Sequence, residues 1–121
     1  MATTTNQRKV RSREKHWCGL SQEKIQKIKS VFQSHPLIEK VILYGSRAKG
    51  NYKPGSDIDF TMFAPEMTLS EQLKIENEID DLLLPNKVDL SFIHEIDNQD
   101  LIDHIHRGGV VFYSRSAAII V

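Results

Sequence analysis

Apolar and polar positions alternate between two periods along the chain, and the switches mark the elements. After Ser21, Ile25, Ile28, Val31 and Phe32 recur at helical spacing. Ser21 reads as the N-cap, with Leu20 before it and Ile25 inside as a hydrophobic staple. His35-Pro36 ends that helix, because a residue preceding proline avoids the helical region. The run 38–44 (IEKVILY) reads as a buried strand that stops at Gly45, and 46–50 as one helical turn. A loop with turn chemistry, 51–56 (NYKPGS), leads to a second strand over 57–63. Thr68-Leu69-Ser70-Glu71 has the form of a capping box and opens a helix to about Leu84, which Pro85-Asn86 breaks. A third strand is expected over 87–93 and a helix from about Asn98 to Arg107, stopped by Gly108-Gly109. A short last strand follows at 110–113. Alternation of this kind predicts an α/β fold, with helices packed around one small sheet.

The 121 residues fit one modest domain, expected over 20–115, between an N-terminal arm (1–19) and a tail (116–121). Sixteen Lys and Arg balance sixteen Asp and Glu, so overall charge selects no partner. The distribution is polar, however: residues 1–53 hold 12 basic and 3 acidic side chains, residues 54–121 hold 4 and 13. The basic excess includes the arm at 8–15 (RKVRSREK), which is expected to be a flexible, solvated segment, with contact to nucleic acid or an acidic partner as the alternative. The apolar tail at 117–121 (AAIIV) is open to docking on the core, docking on another subunit, or fraying. No apolar run approaches the roughly 18 residues of a membrane-spanning helix. The N-terminus lacks the apolar stretch of a secretory signal, and a soluble cytoplasmic protein is the default expectation. A single cysteine, Cys18, excludes an internal disulfide and a cysteine-built zinc cluster.

The candidate chemistry starts at Gly45-Ser46-Arg47-Ala48-Lys49-Gly50, which follows a strand and opens a helical turn. Glycine permits close backbone approach, free N–H groups at a helix start attract an anion, and Arg47 and Lys49 add positive charge. The string has a G-x-x-x-x-G outline, but Asn51-Tyr52 stands where a Walker motif requires Lys-Ser/Thr, so a Walker-type NTPase is not expected. Asp57 and Asp59 are two apart, which places both carboxylates on one face of a strand while Ile58 and Phe60 face the core. Two adjacent like charges call for a cation or a donor between them, and hard oxygen donors suit Mg²⁺. Asp89 lies opposite Val88, Leu90 and Phe92 in parity, on the face of Lys87 and Ser91. If its strand neighbours that of Asp59, three carboxylates meet at one place.

Gly45-Ser46, ten residues, Asp57-Ile58-Asp59, and then Asp89 on a later strand resemble the DNA polymerase β-like nucleotidyltransferase superfamily. The short chain, the string Gly45 to Gly50 and the ending 101–113 (LIDHIHRGGVVFY) are similar to its minimal nucleotidyltransferase (MNT) branch. The resemblance spans about Ser21 to Tyr113 and implies a small mixed sheet packed with helices. It further implies that Gly45 and Ser46 bind a triphosphate, with Arg47 and, less directly, Lys49 on the phosphates. Asp57, Asp59 and Asp89 would hold two Mg²⁺ ions. The implied reaction is attack of a hydroxyl on the α-phosphorus of ATP or another nucleoside triphosphate, releasing pyrophosphate. The implied partner is a helical HEPN-type toxin modified on a tyrosine, which makes this chain an antitoxin. A non-catalytic antitoxin that neutralises its partner by binding alone, and transfer to RNA or a small molecule, stand as alternatives. Nucleic acid is not the expected partner, no membrane is expected, and a homo- or hetero-oligomer is open.

Other residues have plainer readings. His104 and His106 are two apart on a helix, about 200° around the axis, and do not suit one metal ion. His16, His35 and His94 are expected at surface or cap positions, and Trp17 packed on the domain or, alternatively, anchoring a partner. Leu69, Leu73, Ile79 and Leu83 are expected to form the buried face of the long helix, with Glu71, Glu76, Glu78, Asp80 and Asp81 most simply its solvated side and alternatively a contact for a basic partner.

Overall fold

A computed structural model of the chain describes residues 18–115. The basic arm, His16, Trp17 and the apolar tail lie outside the described residues. The elements run α1 (Gln22–Gln33), β1 (Lys40–Tyr44), α2 (Ser46–Lys49), β2 (Ile58–Phe63), α3 (Leu69–Asp80), β3 (Val88–Phe92), α4 (Gln99–Gly108) and β4 (Val110–Ser114), with a 3₁₀ turn at Ile93–Glu95. The caps form where the sequence puts them. The side chains of Ser21, Thr68 and Asn98 accept from the N–H groups of Lys24, Glu71 and Leu101.

The four strands order as β3-β2-β1-β4. β1 is antiparallel to both β2 and β4, and β2 is parallel to β3, so the sheet is mixed. The β2–α3–β3 crossover makes the parallel pair. Register divides the side chains between two faces. Val41, Leu43, Phe60, Met62, Leu90 and Phe92 are buried together with Ile25, Ile28 and Phe32 of α1 and Ile75 and Ile79 of α3. Phe60 stacks edge-on against Phe32 at 5.4 Å and meets Phe112 at 4.7 Å. Full burial of side chains this size contributes roughly 1.5–3 kcal/mol each, which makes this layer the main source of stability. The other face carries Tyr44, Asp59 and Asp89 at one end. α4 packs on β1 there: a Cβ on Gly109 would meet Cγ2 of Ile42, so the turn into β4 admits no side chain.

Three expectations are corrected by the packing. Leu69 and Leu73 are 66% and 50% exposed, and only Ile79 of the expected leucine-rich face is buried. The buried stripe of α3 is set by Ile75 and Ile79, one turn apart; Leu69 and Leu73 lie on the outward side. Leu83 lies beyond the helix, which ends at Asp80, and is 86% exposed with φ 57°. Leu83 adopts a left-handed backbone conformation that no helix continues, and Pro85 disfavours the helical region for Leu84 beyond it. His35 is buried rather than on the surface. It bridges α3 through Glu71 Oε2 (2.9 Å) and Glu78 Oε1 (2.7 Å). Glu71 and Glu78 therefore face the α1–β1 connection and are not part of a solvated side.

No helix among the described residues is long and apolar enough to cross a membrane.

Candidate active site

The glycine turn is built by backbone geometry. β1 delivers Tyr44 opposite Asp59, and Gly45 follows with φ 78°, a conformation that L side chains rarely adopt. A Cβ there would lie 2.5 Å from Oδ2 of Asp59. The missing side chain is therefore a requirement of the site: the backbone at Gly45 abuts the Asp59 carboxylate. The turn Ser46–Lys49 is pinned by Lys49 N–H to Gly45 O and Gly50 N–H to Ser46 O. Gly50, with φ 92°, ends it.

Asp59 sits on β2 between buried Ile58 and Phe60, and its direct neighbour in the parallel register is Asp89. The condition set by the sequence, that the two strands be adjacent, is met. Burial, the charge of Asp89 and the charge of Asp57 raise the Asp59 carboxyl above its usual range, with Lys87 opposing. Asp57 stands exposed one residue before β2. The three carboxylates thus share one electrostatic field. Among the described residues, no three Asp, Glu, His or Cys side chains are grouped so as to hold a metal ion. The trio is an open acidic edge, a donor set of hard oxygens that fits an ion such as Mg²⁺, which keeps waters and binds substrate phosphates.

Arg47 occupies a different place from the phosphate contact expected of it. Its side chain is only 2% exposed. Nη1 donates to Cys18 O (2.9 Å), Nη2 to Ser56 O (3.0 Å) and Pro54 O (3.3 Å), and Nε to Ser56 O (3.2 Å). The guanidinium also lies 5.1 Å from the Tyr52 ring centre. Asn86 Nδ2 donates to the same Pro54 and Ser56 carbonyls. Arg47 and Asn86 together fix the loop that ends at Asp57, so Arg47 positions a carboxylate instead of meeting an anion. Lys49 is exposed beside the turn.

Tyr44 escaped the sequence reading. It is nearly buried; burial and the charges of Asp59 and Asp89 push its phenol upward, while a hydrogen bond to Ser91 pulls it down. Ser91 donates to Thr61 Oγ1 (3.0 Å), and Thr61 is fully buried. A hydroxyl chain Tyr44–Ser91–Thr61 therefore backs the Asp59–Asp89 pair. The available signal was parity: Tyr44 and Asp59 face the same way when β1 and β2 pair. His104 and His106 join no site, and His94 rests on the Phe92 ring.

The arrangement resembles known proteins at two levels. No curated protein is significantly similar in sequence. Among solved structures, the fold is similar to a chain of a toxin–antitoxin crystallised with AMP-PNP (TM-score 0.62, 19% identity, covering 78% of this chain and 76% of that one). It is also similar to a chain of the toxin–antitoxin MntA–HepT (TM-score 0.58, 17% identity, 81% and 76%). A third similar chain belongs to tri-AMPylated Shewanella oneidensis HEPN toxin in complex with MNT antitoxin (TM-score 0.58, 17% identity, 80% and 75%). At these identities the likeness is one of fold. The family model described as polymerase beta, nucleotidyltransferase matches residues 26–118, which contain the turn, the three aspartates and every strand. The chain belongs to the polymerase beta nucleotidyltransferase family.

Proposed function

We propose that this chain is an MNT-type antitoxin that moves AMP from ATP onto a tyrosine hydroxyl of a HEPN-type toxin in the cytoplasm. The observation that carries the reading is the parallel pairing of Asp59 with Asp89 beside the Gly45–Ser46 turn. The similar folds include an AMP-PNP complex and an AMPylated HEPN toxin bound to an MNT antitoxin, which supports the choice of nucleotide and partner.

In this reading the backbone of Gly45 and Ser46 and the Ser46 hydroxyl hold the triphosphate, with Lys49 adding charge at the rim. Asp57, Asp59 and Asp89 would hold two Mg²⁺ ions, which supply charge stabilisation to the attacking and leaving oxygens. Asp89 faces the acceptor and takes its proton. The acceptor oxygen forms a bond to the α-phosphorus, the bond to the bridging oxygen breaks, and pyrophosphate leaves with that electron pair. Arg47 and Asn86 keep Asp57 in place. Positioning and electrostatics provide most of the rate in such transfers, so a small domain is sufficient.

The test is incubation with ATP labelled at the α-phosphate, Mg²⁺ and a HEPN-type protein from the same cell. Label on the HEPN tyrosine, lost with Asp57→Asn and Asp59→Asn, is expected. An unlabelled partner that Asp59→Asn still neutralises in cells overturns the catalytic reading in favour of neutralisation by binding.

A further inference from the structure

On the outer edge of β3, next to the candidate active site, lies a groove of about 360 Å³ of which the transfer mechanism above uses only Asp89. Its lining is more polar than apolar: Asn86 adds an amide, Leu84 and Val88 are half-buried, and Ile79 and Leu90 lie almost fully buried beneath them. Glu76 and Asp80, one turn apart on α3, make an acidic wall. Lys87 and Asp89 close the end nearest the site. Asp89 therefore belongs both to the groove and to the carboxylate pair.

The surface around the groove is unpartnered in a specific way. Leu69, Leu73, Glu76 and Asp80 follow helical spacing and form one outward stripe of α3. Its two leucines are at least half exposed, and Leu83, past the helix end, is more exposed still. Exposed leucines on and just past the helix that walls the groove add apolar area for contact with another macromolecule. The carboxylates select its sign: they repel nucleic-acid phosphates and favour a polypeptide carrying Lys or Arg among apolar side chains.

Resting on the transferase reading, we propose that the α3–β3 groove docks the protein that receives the nucleotidyl group. The docked segment places a basic side chain against Glu76 and Asp80 and an apolar side chain beside Leu84 and Val88. Docking there brings the acceptor to the Asp89 side of the reacting centre, opposite the glycine turn that would hold the triphosphate. Acceptor choice and phosphate binding thereby reside on different strands and are separable by mutation.

Two fluorescein-labelled peptides test this, with Leu and Tyr at the same positions and either Lys or Glu between them. Anisotropy titration of the full chain is expected to show the basic peptide binding about tenfold or more tightly than the acidic one. The double variant Glu76→Lys/Asp80→Lys is expected to lose that preference, while Glu23→Lys/Glu66→Lys, the same charge change elsewhere, retains it. Equal binding of the two peptides, or equal loss in both double variants, overturns the proposal. So does sedimentation showing a dimer that only Glu76→Lys/Asp80→Lys dissociates, because a second copy then fills the groove. Mg²⁺-dependent binding of a fluorescent ATP analogue, measured in parallel, reports the site itself. Its absence in the unmodified chain defeats the transferase reading, whereas peptide selectivity judges the groove alone.

Discussion

Gly45 and Asp59 occupy a space that admits one side chain: the Cβ of any other residue at 45 would stand 2.5 Å from the Asp59 carboxylate oxygen. The backbone at Gly45, φ 78° and ψ −156°, lies in a region open in practice to glycine alone and adds a cost of roughly 1–3 kcal/mol for an L residue. Gly45→Ala is therefore expected to lower stability by about that amount and to displace Asp59. Transfer to the partner should fall on the order of a hundredfold, far more than the unfolded fraction explains. Urea denaturation and pyrophosphate release, measured on the same sample, check the split.

Asp59 carries an unfavourable charge when the site is empty of cations, because Asp89 and Asp57 share its field and burial adds to the cost. Asp59→Asn is expected to raise the melting temperature in chelator-treated buffer. The unmodified chain should gain stability from millimolar Mg²⁺ with nucleotide, and the variant should gain less. Its transfer rate should fall by on the order of a thousandfold, the equivalent of several kcal/mol of lost transition-state stabilisation. Calorimetric melts with and without Mg²⁺ test the crossing of the two stabilities.

Arg47 holds three carbonyl acceptors on two segments through a planar fork, a geometry that lysine cannot reproduce. Arg47→Lys is expected to cost on the order of 1–3 kcal/mol, because the buried Cys18 carbonyl loses its donor while Asn86 still donates to those of Pro54 and Ser56. Asp57 loses its support with the loop. A phosphate-binding arginine would instead change KM for ATP with stability intact, so denaturation midpoints and KM on one variant separate the two roles.

His35 makes the fold pH-dependent. Burial works against its charged form, but hydrogen bonds to Glu78 and Glu71, helped by their charges, outweigh burial and raise its pKa above the ordinary 6.5. The folded state thus binds the proton more tightly than the unfolded one. The stabilisation is fully present below pH 6.5 and is lost as pH rises through the folded value. The unmodified chain is expected to lose melting temperature across that window, and His35→Gln to show a flatter profile. Melts in a pH series from about 5.5 to 8.5 decide the matter.

Strand faces were legible because parity is local: Ile58 and Phe60 bracket Asp59, and Val88 and Leu90 bracket Asp89. The pairing of β2 with β3 was stated only as a condition, since nothing near either aspartate encodes a parallel neighbour thirty residues away. Arg47 was misread because a basic side chain beside a glycine turn has the look of an anion ligand. Its actual acceptors, at Cys18, Pro54 and Ser56, are known only once the loops are folded. The α3 face was misread because leucine was weighed more heavily than angle. Ile75 and Ile79 alone define the inward stripe, and the helix ends too early for Leu83 to join it. His35 gave no local signal, because Glu71 and Glu78 reach it from another helix.

The alignment of β2 with β3 also governs how the molecule matures. The β1–β2 hairpin unites the glycine bend with Asp59 using nearby chain, but Asp89 arrives only after the α3 crossover has closed. Sliding β3 by a single position would turn Asp89 inward and expose Val88 and Leu90 to water. A misaligned molecule would thus be inert, not partly competent, and a titration of active molecules would count correctly folded ones.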